Sequence, residues 1–232
     1  MKKQMKKLIM AVVAAPLALG LMAVPAVAEE PQPVLPGAVH ADGVWTYEDG
    51  HTETHTADLG VITAPVGDTI TLTRADGVTV SNALPDDVCV RVSGMPATVE
   101  DLHFGMRALV IAQVADDGTT VRVVRAGFPL VRRDQPGCGL FEGAVHGEVT
   151  LTYADGTTRS FSFDRGAIES VTDGEILMQR PDGVAVTTST DDHTRIFGAN
   201  SLDELAGRQA LVISERVGDA LLAKIVRARI VI

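Results

Sequence analysis

The segment HTETH (residues 51–55) carries the side chains best suited to metal chemistry in this chain. If the segment is a β-strand, His51, Glu53 and His55 point to one face, with about 7 Å between successive members. Neighbouring members could share an ion, and imidazole and carboxylate groups suit Zn²⁺ or Cu²⁺. The whole span is about 13 Å, which is too long for one metal without a bulge. The alternative interpretation is simply the polar end of a hairpin.

The chain contains two cysteines, Cys89 and Cys138. Two cysteines in an exported protein usually form a disulfide, which would tie a strand of the first half to the middle of the chain. Closing a loop of about 50 residues would stabilise the fold by roughly 4 kcal/mol, less any strain. A bridge between two chains and a free thiol are the alternatives.

Two histidines, His40 and His146, recur at matching places, each after a valine at the start of a predicted strand. A structural hydrogen bond from each imidazole explains the recurrence, and a shared ligand site is the alternative. The sequence has no nucleophile elbow, zinc-protease motif, phosphate-binding glycine loop or calcium loop. We therefore predict no catalytic residue and no cofactor.

The first 28 residues have the pattern of a secretory signal peptide. Four lysines precede an apolar run, and Ala26-Val27-Ala28 forms a small-x-small cleavage site. Cleavage after Ala28 predicts a secreted or extracytoplasmic protein. The alternative is an uncleaved anchor, although Pro16, Gly20 and Pro25 interrupt the apolar run. No later apolar run has spanning length, so we expect no membrane span after cleavage.

The charge balance excludes one class of partner. The 232 residues carry 20 Lys and Arg against 30 Asp and Glu, for a net charge of −10. Removal of the signal takes away four lysines and no acid, which lowers the charge to −14. Nucleic-acid binding needs a basic surface, so we predict no nucleic-acid partner. Aromatic residues make up only 4 %, which disfavours a stacking platform for bases or sugars.

The remaining chain consists of two similar sequence repeats. Residues 37–90 align with 143–196 at an offset of 106 and are identical at 19 of 54 positions. After a four-residue deletion, 105–126 align with 207–228 with 9 identities in 22. We expect two homologous domains rather than one long sheet. The predicted organisation is a signal peptide (1–28), a flexible lead (29–36), a first β-barrel repeat (37–126), a linker (127–142) and a second repeat (143–232).

Each repeat has the pattern of β-structure, with short runs of Val, Ile, Thr and Leu between Asp-Gly turns. A turn with a G1 bulge at Gly156 would pair Tyr153 with Thr157 and gather the aromatic residues of that hairpin on one face. Capping-box patterns at 98–101 and 201–204 predict one short helix per repeat, and glycines at 105 and 207 would end them. The predicted class is all-β, with two tandem small OB-like β-barrels, each with one short helix.

The second repeat resembles a known family. Its motifs are VHGE, a hairpin Asp-Gly, an RG pair, ILMQRPDGVAV, DDHTRI and SLDELAGRQALVI. They look like the small β-barrel domain of unknown function found, often in tandem, in secreted and envelope proteins of high-G+C bacteria. The first repeat matches more loosely, since Leu59 replaces the arginine of RG and Cys89 replaces a polar residue. The resemblance implies a fold and a compartment, and no catalytic residues.

Three functions remain open at this point. The favoured one is a non-enzymatic binding or structural module that contacts an unidentified envelope or extracellular protein or ligand. The second is zinc or copper binding through His51, Glu53 and His55. The third is a hydrolase with carboxylates in a groove between the repeats.

Overall fold

The computed structural model describes residues 37–127 and 143–228. The chain there is all-β, as the alternation of short apolar runs and turns predicts. The first repeat supplies β1–β8 and the second supplies β9–β15. The strands are β1 Ala38–Tyr47, β2 Thr52–Ile62, β3 Thr69–Arg74, β4 Thr79–Ala83, β5 Cys89–Val92, β6 Met95–Ala97, β7 Arg107–Ala115, β8 Gly118–Ala126, β9 Ala144–Tyr153, β10 Thr158–Thr172, β11 Glu175–Gln179, β12 Ala185–Ser189, β13 Arg195–Phe197, β14 Gln209–Val217 and β15 Ala220–Ala228.

All fifteen strands belong to one hydrogen-bonded sheet, in which β1 pairs antiparallel with β9. The expectation that the repeats would not share one long sheet is therefore wrong, whereas the division into two domains stays a prediction. Sequence repetition identifies two units but does not show whether the edge strand of one unit pairs with the edge strand of the other. Here the edge of each first strand is covered by the other repeat, which removes two exposed sheet edges.

Within the second repeat, β10, β11, β12, β15 and β14 form a closed circuit of strand pairs. The closing contact is a single parallel pair, Ser189 with Leu222. In the first repeat the corresponding strands, β4 and β8, lie side by side, and β4 is hydrogen-bonded to β3 in the part of the chain described.

Each repeat has its own apolar core on one face of the sheet, which we call the core face. The core of the first repeat includes Ile62, Ile70, Leu72, Val110, Val121 and Val124. That of the second includes Ile168, Ile176, Met178, Leu205, Val212 and Val226. The opposite face of the joined strands, which we call the seam face, carries Trp45, His55, Leu151 and Phe161, all of them buried.

The predicted hairpin with a G1 bulge is confirmed. The Tyr153 amide donates to the Thr157 carbonyl at 2.9 Å, and Gly156 has a φ of 82°, which glycine adopts at little cost. Arg159 then lies opposite Leu151, and Phe161 opposite Val149. The aromatic side chains therefore share one face as expected, and that face is the seam face.

The predicted short helices are single 3₁₀ turns, Val99–Asp101 and Asp203–Leu205. In the first, the backbone N–H of Thr98 donates to the Asp101 carboxylate at 2.9 Å, as the capping-box pattern predicts. The second prediction is wrong in detail, because Glu204 accepts its bond from the N–H of Asn200 and not of Ser201. The glycines at 105 and 207 both have positive φ, as predicted.

Candidate functional site

The repeated histidines belong to a buried ionic network that occurs once in each repeat. In the first repeat, His40 Nδ1 lies 2.8 Å from Asp58 Oδ1, and Arg74 donates to the same oxygen at 2.9 Å. Arg74 also makes a two-pronged contact with Asp76, at 3.2 Å through Nε and 2.7 Å through its terminal nitrogen. The structural hydrogen bond predicted for His40 is thus confirmed.

The second repeat repeats this network residue for residue at the offset of 106. His146 Nδ1 lies 2.8 Å from Asp164 Oδ1, and Arg180 donates to that oxygen at 3.2 Å. Arg180 also donates two hydrogen bonds to Asp182, one from Nε at 3.0 Å and one from a terminal nitrogen. The strand register explains the geometry, because His146 stands directly opposite Asp164 as His40 stands opposite Asp58.

The pKa values of the network arginines are raised and those of Asp76 and Asp182 are lowered, which favours the charged form of each group. The carboxylate of Asp76 raises the pKa of Arg74, and contact with Arg74 lowers the pKa of Asp76. Burial works against the charge of Arg180, but its bonds to Asp182 and Asp164 outweigh burial and raise the pKa. The hydrogen bond from Arg180 lowers the pKa of Asp182. Each arginine is therefore an ion-pair partner that joins β2 or β10 to the Asp-Gly turn of the next hairpin.

Sequence reasoning identified the two histidines and missed the network around them. All four members are identical between the repeats, at 40/146, 58/164, 74/180 and 76/182. Identity at four ionisable positions of a diverged repeat was the signal available. It was hard to read, because the four residues are far apart in sequence and meet through strand pairing.

The predicted metal ligands lie at the end of the first hairpin, where the structure brings two of the three together. Glu53 and His55 share the seam face of β2, and His55 Nε2 lies 3.0 Å from Glu53 Oε2. His51 precedes the strand, contacts Asp49 through Nδ1 at 2.5 Å and stacks on Tyr47 with the ring centroids 4.2 Å apart. Within residues 37–127 and 143–228, no group of three or more His, Cys, Asp or Glu side chains is placed to hold a metal.

Glu53 is instead the centre of a hydrogen-bonded relay. The Tyr47 hydroxyl donates to Glu53 Oε2 at 2.8 Å, the same oxygen that His55 contacts. Burial would raise the pKa of Glu53, but these two hydrogen bonds outweigh it and the pKa is lowered. Burial, together with the Glu53 carboxylate, raises the pKa of Tyr47 to about 12. Trp45 covers His55 edge-on, with the ring centroids 4.3 Å apart.

The relay occurs in the first repeat alone. Tyr47 has Tyr153 as its counterpart, but Arg159 stands in place of Glu53 and Phe161 in place of His55. Arg159 turns to Glu215 on the neighbouring strand, at 2.7 Å. The hairpin ends of the two repeats therefore carry different chemistry.

Cys89 begins β5 and pairs in parallel with Val123 of β8. Cys138 lies outside the described residues, so the disulfide stays a prediction. The signal peptide, the lead and most of the linker also lie outside them. Within the described residues, no helix is both long enough and apolar enough to cross a membrane.

Comparison with known proteins gives no relative from which a function could be taken. No family model matches the chain, and no curated protein and no solved structure matches it.

Proposed function

We propose that this chain is a secreted or envelope-associated, non-enzymatic binding or structural module. In this proposal each repeat is a small OB-like β-barrel of the kind that its motifs resemble, and the two are joined into one scaffold. The observation that carries the proposal is the duplicated network. Its four ionisable side chains are identical in the two repeats, are bound to one another and tie strands together.

The geometry of the network supports a structural role over a catalytic one. A general base or nucleophile needs a reactive atom open to substrate and within reach of its proton. His40 instead engages carboxylates at both ring nitrogens, 2.8 Å from Asp58 and 3.1 Å from Asp42. Asp58 and Arg74 are almost completely buried. This arrangement favours stability over turnover.

The test separates loss of stability from loss of function. Mature protein (residues 29–232) and its His40→Ala and His146→Ala variants are compared by thermal unfolding and by cross-linking to an extract of the producing cell's envelope. We expect both variants to unfold at lower temperature and, below that temperature, to retain the cross-linked partners of the parent. A hydrolytic or other turnover that one substitution abolishes without unfolding the protein would refute the proposal.

The metal-binding alternative is tested at the hairpin. To bind Zn²⁺, His51, Glu53 and His55 would have to leave Asp49, Tyr47 and each other. We expect calorimetric titration with Zn²⁺ or Cu²⁺ to show no site tighter than about 1 mM, an affinity worth only about 4 kcal/mol. Tighter binding that is lost in His51→Ala but kept in a His193→Ala control would establish the metal site instead.

A further inference from the structure

We propose that the second repeat binds an ordered water molecule between Ser162, Asp164 and Ser214. The site lies on the core face, next to the His146 network, and is independent of the function proposed above. The observations that support the site are buried polar atoms without partners, the strand register, and an ion pair between Arg216 and Glu148.

Three buried polar atoms on the core face have no protein partner within the described residues. Ser162, Asp164 and Ser214 are 3 %, 1 % and 0 % exposed. In the part of the chain described, no hydrogen-bond partner reaches Ser162 Oγ, Ser214 Oγ or Asp164 Oδ2. A buried polar atom is almost always hydrogen-bonded, because its loss of contact with solvent is otherwise uncompensated.

Strand register places the three atoms within reach of one small molecule. Ser162 of β10 stands directly opposite Ser214 of β14, which puts their Cβ atoms about 5 Å apart on the same face. Asp164 is two residues along β10, on that face and about 7 Å away, and the proposal requires its Oδ2 to be directed toward the two serines. One water reaches two partners about 5.6 Å apart through two ordinary hydrogen bonds.

A small side chain and an ion pair lie beside the three atoms. Beside Ser214, the facing residue of β15 is Ala223, a small side chain that is fully buried. The Arg216 guanidinium donates to the Glu148 carboxylate at 2.7 Å. Because β14 and β9 flank β10, this ion pair spans β10 on the core face beside Ser162.

Water matches the hydrogen-bonding capacity of the three groups. Asp164 Oδ1 is already engaged by His146 and Arg180, so Oδ2 still needs a donor. Serine hydroxyls can both donate and accept, whereas a carboxylate accepts only. A water molecule can donate to Asp164 and bridge the two hydroxyls, and buried waters commonly make about three such bonds.

The first repeat keeps the aspartate and its ionic network but lacks the two serines and the ion pair between Arg216 and Glu148. Its Thr56 stands in place of Ser162 and directs its hydroxyl to the Ala41 carbonyl at 3.4 Å. Ala112 replaces Ser214, and Val114 replaces the arginine of that ion pair. The repeat therefore offers a matched control, Ala112→Ser, in which a hydroxyl is added where no such site is built.

The sign of a stability change tests the proposal. If water satisfies the hydroxyls, Ser162→Ala and Ser214→Ala each lower the Tm of the full chain by about 2–4 °C. The double variant then falls by less than the sum, because both hydroxyls share one water. If the hydroxyls have no partner, their removal raises the Tm, which would overturn the proposal.

A crystal structure supplies the second measurement. We expect a density peak about 2.6–3.2 Å from the three oxygens, and its loss in Ser214→Ala. A dry site, or hydroxyls turned to backbone carbonyls, would refute the proposal. Contacts near 2.4 Å from six or more oxygens would identify a bound cation, which would also overturn the assignment to water. The Ala112→Ser control should gain no such peak.

Discussion

Gly43 lies directly opposite Val149, which is the residue at its own position in the second repeat. On either side the pairing is reciprocal, so that Val44 faces Glu148 and Asp42 faces Thr150. The two first strands are therefore related by a local two-fold axis through this pair. Such self-complementary pairing is the geometry of an isologous dimer interface, here contained within one chain.

The same symmetry operates at the ends of the joined strands. The ring of Tyr47 packs against Gly143, and the ring of Tyr153 packs against Gly37. Each repeat thus places its hairpin tyrosine on the first glycine of the other. A Cβ at either glycine would lie 3.6–3.8 Å from the partner ring, an ordinary contact distance, so it is the positive φ of each residue that favours glycine.

The buried network should dominate the ionic contribution to stability. Arg180→Met leaves Asp164 and Asp182 buried without their cation, and we expect a loss of about 3–5 kcal/mol in the free energy of unfolding. The control is Arg159→Met, which breaks a more exposed pair with Glu215 and should cost about 1 kcal/mol or less. Urea denaturation measures both. Equal losses for the two variants would show that burial does not set the cost.

Close approach of two backbones should make one glycine irreplaceable. A Cβ on Gly166 would lie 2.2 Å from the Gln179 carbonyl oxygen, so Gly166→Ala must push β10 and β11 apart. We expect a loss of about 1–3 kcal/mol by chemical denaturation. Gly67→Ala serves as the control, since nothing lies within 4 Å of its Cβ position. A neutral Gly166→Ala would contradict the spacing of these strands.

Acid should weaken the fold through the network carboxylates. The folded state lowers the pKa of Asp76 and Asp182, so each contributes stability that is complete above the unfolded pKa of about 4. That stability is lost as pH falls through the lower folded pKa. We expect the denaturation midpoint to drop below about pH 4, and to drop less steeply in Asp76→Asn/Asp182→Asn. An unchanged slope in the variant would assign acid sensitivity to other groups.

The Tyr47 hydroxyl should lose its proton at a higher pH than an ordinary tyrosine does. Its phenol has a pKa raised to about 12 by burial and by the Glu53 carboxylate. Phenolate absorbance follows two tyrosines in this chain, so Tyr153→Phe isolates the signal of Tyr47. In that background, Glu53→Gln removes the negative charge and should move the transition toward the ordinary value of about 10. The same transition in both proteins would mean that the hydrogen bond to Glu53 has no influence.

Local sequence predicted the elements that depend on local physics. The bulged turn at Gly156 and the left-handed residues at 105 and 207 followed from residue type, because φ > 0 favours glycine. The metal hypothesis assumed that Glu53 and His55 lie on one face of a strand, and they do. The contacts of these side chains were not expected. His51 lies in the turn and contacts Asp49, and the Tyr47 hydroxyl donates a hydrogen bond to Glu53.

The sequence by itself determined that the chain is a duplicated all-β protein, because repeat identity and two-residue alternation are properties of the chain alone. Only the tertiary structure decided that the repeats share one sheet and that His40 and His146 each complete an ionic network. Register between distant strands depends on packing over both repeats, and no local pattern specifies which edges will meet. The ionic network of each repeat forms where paired strands bring residues that are far apart in sequence into contact.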